Sequence, residues 1–453
     1  MKIKKLKSQL PDRVFTEPEV LCCYGFDASS IRDGKALAVV RPANVDDCIK
    51  TINFCRDNKV PLCPRGAGTG TTGGAISLNG AVILSLEGMN KIIDIDKKNS
   101  LVVVEPGVIN SHLQKALAKR RLFYPPDPAS MAFCTLGGNV AENAGGPRGI
   151  KYGVTRDYVM GMEVVLPNGK VLRTGVQTHK GVVGYDLTRL IIGSEGTLAV
   201  ITKIFLKILP LPEMTTTMLA VFQDMVSAAQ AVTAITGAGI VPATLEFMDR
   251  EAIAAVERYQ GFGLSSECEA LLLIEVDGAS PIVEREADQI ASICSSLGAN
   301  VSVADTPSSR ERLWQARRAI SPALYFISPS KINEDIVVPR TGLADMLNRL
   351  RKISESYKVT IVSFGHAGDG NIHVNIMTDR NNQEEYGRAK KAVKDIFEAT
   401  LALGGTISGE HGIGLTKKPY IEMEIPQSGL DLMKGIKALF DPDNILNPGK
   451  IFP

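Results

Sequence analysis

The sequence predicts an α+β protein of at least two domains, and three observations carry that expectation. Short apolar runs of strand character alternate with stretches of helical spacing along the chain. Leu209-Pro-Leu-Pro212 punctuates it near the middle. Beyond that point the order strand-helix-strand, strand-helix-strand is the ferredoxin-like split βαβ pattern. At 453 residues the chain has length for two or three domains with sizeable cores.

In chain order, Val45, Cys48, Ile49, Ile52 and Cys55 place a helix over Asn44 to Asn58, and Leu113, Ala116 and Leu117 place another over Asn110 to Arg121. Strands are expected at Leu37–Val40, Ala81–Leu86, Leu101–Val104, Gly161–Leu166 and Thr197–Leu209. Asn168-Gly169, between two apolar runs, is a hairpin signal. After the Pro-rich boundary come strand Thr216–Phe222, helix Met225–Ile235, strands Ala243–Met248 and Ala270–Val276, helix Pro281–Leu297 and strand Asn300–Ala304. Val283, Ala287, Ile290, Cys294 and Leu297 give that last helix one apolar face.

A net charge of +2 with no basic stripe argues against nucleic acid as the main partner. Met1-Lys-Ile-Lys-Lys-Leu-Lys7 has a positive start but no apolar run behind it, so it reads as a solvated N-terminus rather than a signal peptide. No segment approaches the roughly 18 consecutive apolar residues of a membrane span. The eight cysteines (Cys22, Cys23, Cys48, Cys55, Cys63, Cys134, Cys268 and Cys294) show neither C-x-x-C pairs nor cluster-ligand spacing. Free thiols in a reducing cytoplasm are expected, with no iron–sulfur cluster carried by the chain.

Pro64-Arg-Gly-Ala-Gly-Thr-Gly-Thr-Thr-Gly-Gly74 contains Gly68-x-Gly70-x-x-Gly73, the dinucleotide fingerprint. A Rossmann loop must open into a helix. Here Ala75 to Ser85 reads instead as strand, Asn79-Gly80 turn, strand. What remains is a loop of small residues whose backbone N–H groups can approach an anion. The stretches Thr135 to Gly146 and Gly193 to Leu198 offer further backbone to a flat, extended ligand.

Three of the five histidines sit in two Gly-flanked stretches, Ser363-Phe-Gly-His366-Ala-Gly-Asp-Gly-Asn-Ile-His373 and Ser408-Gly-Glu410-His411-Gly-Ile-Gly414. Val359–Phe364 and His373–Met377 read as strands joined by a Gly368-Asp369-Gly370-Asn371 turn. His366 and His373, equidistant from that turn, would lie opposite one another, roughly 4.5 to 5.5 Å apart at Cβ, and grip one divalent ion. Asp369 and Asn371 are expected as turn formers. Glu410 is the best candidate for a third ligand, since imidazole and carboxylate with an open position build catalytic zinc and non-haem iron sites. That leaves His411 free to act as a base.

These residues together resemble the FAD-linked 2-hydroxy-acid dehydrogenases of the vanillyl-alcohol-oxidase type, over about Pro42 to Pro453; glycolate oxidase FAD subunits, D-lactate dehydrogenases and D-2-hydroxyglutarate dehydrogenase are of this kind. The resemblance implies a PCMH-type FAD-binding domain over residues 1–210 and a ferredoxin-like substrate or cap domain with the metal site over 211–418. A C-terminal segment, 419–453, would return to the FAD domain. It assigns Arg65, Gly66, Ala67, Gly68, Thr69 and Gly70 to the FAD pyrophosphate. Pro126, Asp127, Ser130, Gly137, Gly138, Asn143 and Gly145 follow the flavin, Glu195, Gly196, Thr197 and Ile201 the adenine and ribose side, and Asn447 closes the site. Thr69 stands where some members carry a flavin-tethering histidine, which implies non-covalent FAD.

The resemblance also gives His366, His373 and Glu410 to a divalent metal (zinc, iron or manganese) and His411 to proton abstraction. Arg317, with Arg318 as the alternative, Ser321 and Lys331 are given to the substrate carboxylate. The implied reaction is oxidation of a D-2-hydroxy acid, lactate foremost and glycolate or 2-hydroxyglutarate besides, with hydride passing to FAD N5. Electrons would leave through an electron-transfer flavoprotein or an iron–sulfur subunit. The protein would be cytoplasmic, reaching a membrane only through such a partner. The competing readings are a nicotinamide dehydrogenase, a peroxide-producing oxidase and a non-catalytic FAD-binding relay subunit.

Overall fold

The computed structural model describes residues 2–32, 34–78, 80–264 and 267–453. The chain forms two compact units, one of residues 1–145, 154–211 and 410–453, the other of residues 146–153 and 212–409. Glu410 and His411 therefore belong to the first unit, and His366 and His373 to the second.

The first unit holds two main sheets. In one, Leu62–Arg65, Ala81–Ser85 and Ala36–Val40 run parallel, with the short strand Val14–Phe15 antiparallel at the edge. In the other, five antiparallel strands stand in the order Ile92–Asp96, Leu101–Val104, Val200–Lys207, Val159–Val165, Val171–Gly175. The hairpin around Asn168-Gly169 forms, with Val165 paired to Val171. The helix Val45–Asn58 is capped by Asn44, whose side chain accepts from the Asp47 N–H, and it buries Cys48, Ile52 and Cys55.

Two expectations fail here. Ala75 to Leu78 forms no strand, and Asn79 of the expected turn lies outside the described residues. No helix follows the Gly68-x-Gly70-x-x-Gly73 loop, so the Rossmann context is absent as the sequence indicates. The N-terminal stretch is not simply solvated: Lys2–Gln9 is helical, and Leu6 and Leu10 join the core of this unit beside Cys48, Ile52, Val82 and Leu446. Its lysines leave one apolar edge at Leu6 and Leu10, and burial of that edge holds it.

The second unit is one antiparallel seven-stranded sheet with helices on its faces. Its order is Asn300–Val303, Met214–Phe222, Ala270–Gly278, Thr244–Asp249, Thr360–His366, Asn371–Thr378, Ser330–Val337. Numbered along the chain, the first four strands stand in the order 4-1-3-2, with helices Met225–Gly237 and Ser280–Ser296 as the crossovers, which is the ferredoxin-like arrangement. Ser330–Val337 and the histidine hairpin extend that sheet by three strands. Pro307–Ala323 and Arg250–Gln260 cover one face through Ala316, Ile320 and Ile253, against Met248, Leu271, Phe364 and Met377. Among the described residues no helix is long and apolar enough to cross a membrane.

Candidate functional site

In the first unit the small-residue loops converge. Residues 64–71, 128–130, 135–144 and 194–201 supply most of the lining of a cleft of about 1370 Å³, counted with the solvent at its mouth. Arg65, Gly66, Ala67, Gly68, Thr69, Gly70, Ser130, Gly137, Gly138, Glu195, Gly196 and Ile201 all line it, as do Glu410 and His411. Pro126, Asp127, Asn143, Gly145, Thr197 and Asn447 are not among the lining residues. Several of these brace the walls instead. Asn143 caps a helix in the left-handed region and accepts from Arg156 N–H, Thr197 donates to Ser194 O, and Asn447 Nδ2 donates to the carbonyls of Gly74 and Glu195.

Arg65 is 6 % exposed and its guanidinium turns under its own loop, donating to Ala75 O and lying over the Tyr24 ring. It fixes the loop's shape so that the loop's backbone faces the cleft. The side chain of Glu195 is likewise committed elsewhere: its two oxygens accept the N–H groups of Ile413 and Gly414, each at 2.7 Å. Together with Thr72, whose hydroxyl donates to His411 O and whose carbonyl accepts from Leu415 N–H, it pins the segment that carries Glu410 and His411. Gly412 permits this with φ 78°, and a Cβ there would meet Glu142 Oε2 at 2.5 Å.

Glu142 is a residue the sequence reading missed. It lines the cleft, faces Glu195 across Gly74 and Gly412, and its Oε2 has no hydrogen-bond partner. Burial, then the charges of Glu195 and Asp27, push its carboxyl well above the ordinary range, against the pull of Lys450. Glu195 is raised as well, chiefly by burial. Thr71 Oγ1 and Asn139 Nδ2 are also buried in this lining without partners. Polar atoms kept dry and unpaired inside a backbone-lined cleft are what a large polar ligand would satisfy, so the donor set fits a dinucleotide.

In the second unit the hairpin turn is centred one residue earlier than expected, which shifts the pairing by two residues. His366 pairs with Asn371, and His373 with Phe364, so the turn is Ala367-Gly368-Asp369-Gly370 and the imidazoles are diagonal neighbours on one sheet face. Asn371 is therefore a buried strand residue rather than a turn former; its Nδ2 donates to Asp335 Oδ1 at 2.7 Å and to Ile336 O. Gly370, at φ 84°, makes the bend against the Val338 carbonyl that displaces the register. The diagonal placement still brings His366 Nε2 and His373 Nε2 to 3.4 Å, with the rings edge to face.

Each imidazole has a buried carboxylate behind it. Glu246 Oε1 is 2.6 Å from His366 Nδ1, and Asp335 Oδ1 is 3.8 Å from His373 Nδ1. Asp335 also accepts the Gly409 N–H. At His366 this is how metal-ligating histidines are oriented, with the second nitrogen held by a carboxylate. Asp335 stands beyond hydrogen-bond distance of His373 Nδ1 and adds a nearby negative charge, and the pair fits a divalent ion. Arg317 points inward, its Nη2 2.6 Å from Glu246 Oε2 and its guanidinium over the Phe364 ring. Arg318 is on the outer face of the same helix, paired with Glu311. Ser321, one turn beyond Arg317, receives Lys331 Nζ at 2.8 Å, and burial pushes the Lys331 amine down to about 8.

A cleft built from backbone and small residues, beneath a segment carrying a Glu-His pair, defines a dinucleotide-binding oxidoreductase, and the comparisons identify the family. Residues 36–175 match the FAD binding domain and residues 211–451 the C-terminal domain of FAD linked oxidases, so the chain belongs to the FAD-linked oxidases. It is 46 % identical over 430 residues to the glycolate oxidase subunit GlcD of Bacillus subtilis, covering 95 % of this chain and 92 % of that one. It is 38 % identical to a D-lactate dehydrogenase of Anaerostipes hadrus over 99 % of this chain and 96 % of the relative. In fold it matches p-cresol methylhydroxylase with a TM-score of 0.84 at 20 % identity, covering 99 % and 96 % of the two chains.

Proposed function

We propose that this protein oxidises a D-2-hydroxy acid, lactate foremost, to the 2-oxo acid. The observation that carries the reading is the imidazole pair, two Nε2 atoms 3.4 Å apart, in a family whose relatives are named for glycolate and D-lactate oxidation. FAD, held without a covalent link by the cleft loops that include Gly66 to Gly70, would supply the two-electron acceptor for the α-hydride. A divalent metal, zinc, iron or manganese, held by His366 and His373, would supply Lewis-acid chemistry that makes the substrate hydroxyl more acidic.

The chain's own residues do the rest. His366 and His373 are the imidazole ligands of that ion, and the residue pattern assigns Glu410 as the carboxylate ligand and His411 as the base that takes the hydroxyl proton. Arg317 and Lys331 hold the substrate carboxylate, with Ser321 orienting the lysine. The cleft loops, led by Gly66 to Gly70, hold the dinucleotide by backbone N–H groups and keep water off it.

The electrons would leave through a separate protein, an electron-transfer flavoprotein or an iron–sulfur subunit. The cysteine pattern supports this, since the eight cysteines show neither C-x-x-C pairs nor cluster-ligand spacing. Anaerobic flavin bleaching against a panel of D- and L-2-hydroxy acids tests the reading, with D-lactate expected to bleach fastest. Failure of every acid to bleach would leave a non-catalytic relay, and reoxidation by air at the turnover rate would make the protein a peroxide-forming oxidase.

A further inference from the structure

Glu246 lies in the middle of Thr-Leu-Glu-Phe-Met-Asp, a strand in which every residue is buried, and its side chain is 0 % exposed. An ion so placed loses several kcal/mol of hydration unless its lone pairs are taken up. They are divided between two partners. Oε2 accepts from Arg317 Nε at 2.7 Å and Nη2 at 2.6 Å, and Oε1 faces His366 Nδ1 at 2.6 Å. The strand register sets this up, since Glu246 pairs directly with His366 in the neighbouring strand and Arg317 descends from the helix Pro307–Ala323 covering that face. One carboxylate thus stands between the arginine assigned to the substrate and a histidine assigned to the metal.

We infer that Glu246 is a positioning residue that couples the carboxylate-binding Arg317 to the metal-binding His366, so that a change at either is felt at the other. The inference rests on the function proposed above. Oε1 holds the proton of His366 on Nδ1, which puts the lone pair on Nε2, the atom that faces His373 Nε2 and would meet an ion. Oε2 fixes the plane of the guanidinium, leaving its remaining N–H donors for a substrate carboxylate. When a substrate anion draws the guanidinium, Glu246 turns more of its charge on His366, and the imidazole becomes a better ligand. Removing the guanidinium has the same effect on the ion. The coupling is reciprocal by linkage, so a bound ion tightens the grip on the acid.

The test is zinc affinity of the purified flavoprotein, measured by competition with a chromogenic chelator and read apart from turnover. Glu246→Gln, close in shape, is expected to weaken zinc binding by about 10- to 100-fold. Arg317→Gln, which removes no ligand, is expected to tighten it by about fivefold or more. That gain should vanish in the Glu246→Gln background. A merely structural role for Glu246 predicts unchanged zinc affinity in every variant that keeps the parent melting temperature, and that result would overturn the coupling. Should Glu246→Gln not fold, Arg317→Lys still reads it, because a one-pronged cation must shift zinc affinity if the carboxylate is shared. His366→Ala separates the two levels of the argument. Zinc lost with His366→Ala but indifferent to Glu246 and Arg317 removes the coupling alone, whereas zinc binding that ignores His366 removes the metal reading and the coupling with it.

Discussion

Glu246 in the second unit and the Glu142–Glu195 pair in the first are both buried carboxyl sites, yet they are built on opposite principles. Glu246 is met by counter-charges: burial works against its charged form, and His366 and Arg317 more than offset that, holding its carboxyl below the ordinary range. Glu142 faces the like charge of Glu195, whose own oxygens are taken by backbone N–H groups, and both carboxyls rise above that range, chiefly through burial. The first arrangement fixes side chains and suits an ion. The second lines a cleft and, through Glu195, holds the Ile413–Gly414 segment in place.

The largest expected effects separate the chemistry of the two regions. His411→Ala should slow anaerobic flavin bleaching by about 10²- to 10⁴-fold, the contribution of a positioned general base, while flavin content stays at one per chain. Treatment with a chelator should likewise stop bleaching and leave the flavin bound, the outcome the proposed metal predicts. Loss of flavin on chelation, read from its absorbance, would show that the ion is needed for flavin retention as well as for chemistry.

Next comes stability. Glu246→Ala leaves Arg317 and His366 facing an emptied, buried place, and breaking such a pair costs about 3 to 5 kcal/mol. Glu142→Gln removes a carboxyl that has no partner on Oε2, and should be neutral or stabilising. Urea midpoints of the two variants should therefore move apart. If both fall together, like-charged and counter-charged burial are equivalent in this protein and the contrast fails.

The contrast has a pH signature of opposite sign. A depressed carboxyl stabilises the fold above its ordinary value and loses that contribution as pH falls through its lowered value, so Glu246→Gln should flatten the acid side of the melting profile. A raised carboxyl contributes fully below its ordinary value and loses that contribution as pH climbs through the raised one. Glu142→Gln should flatten the alkaline side. Melting temperature against pH for the three proteins checks both, and matching acid limbs in the parent and Glu246→Gln would show that Glu246 is not held low.

Much of this was legible in the sequence where the signal is local. Asn44 caps its helix, Asn168-Gly169 turns its hairpin, and the 4-1-3-2 strand order follows from a strand-helix-strand pattern. What was not legible is set across the chain. Glu246 reads as an ordinary polar interruption of a strand until Arg317, 71 residues on, and His366, 120 residues on, arrive beside it. The Glu195 side chain is claimed by backbone N–H groups 218 and 219 residues away, which no motif records. The hairpin register slipped because a Gly-Asp-Gly-Asn run can centre a turn at either of two places. Burial of Asn371 against Asp335 decides between them.

The smallest expected effect concerns Lys331, on the strand Ser330–Val337 of the second unit. Its amine rests on the Ser321 hydroxyl and carbonyl and over the Tyr325 ring, with no carboxylate among those partners, and burial pushes its pKa down to about 8. A lysine lowered in this way is charged in the folded protein only below that value. Its contribution to stability is complete above the ordinary lysine value and is lost as pH falls through 8, the reverse of its contribution to anion binding. KM for the hydroxy acid should therefore rise severalfold as pH passes from about 7 to about 9, while kcat changes less. Lys331→Arg, permanently charged, should remove the rise, and Lys331→Met should give a high KM that is flat across that range. A parent KM that is itself flat would mean that the substrate carboxylate is held by Arg317 without this amine. Arg317 would then have to serve the acid while remaining bound to Glu246.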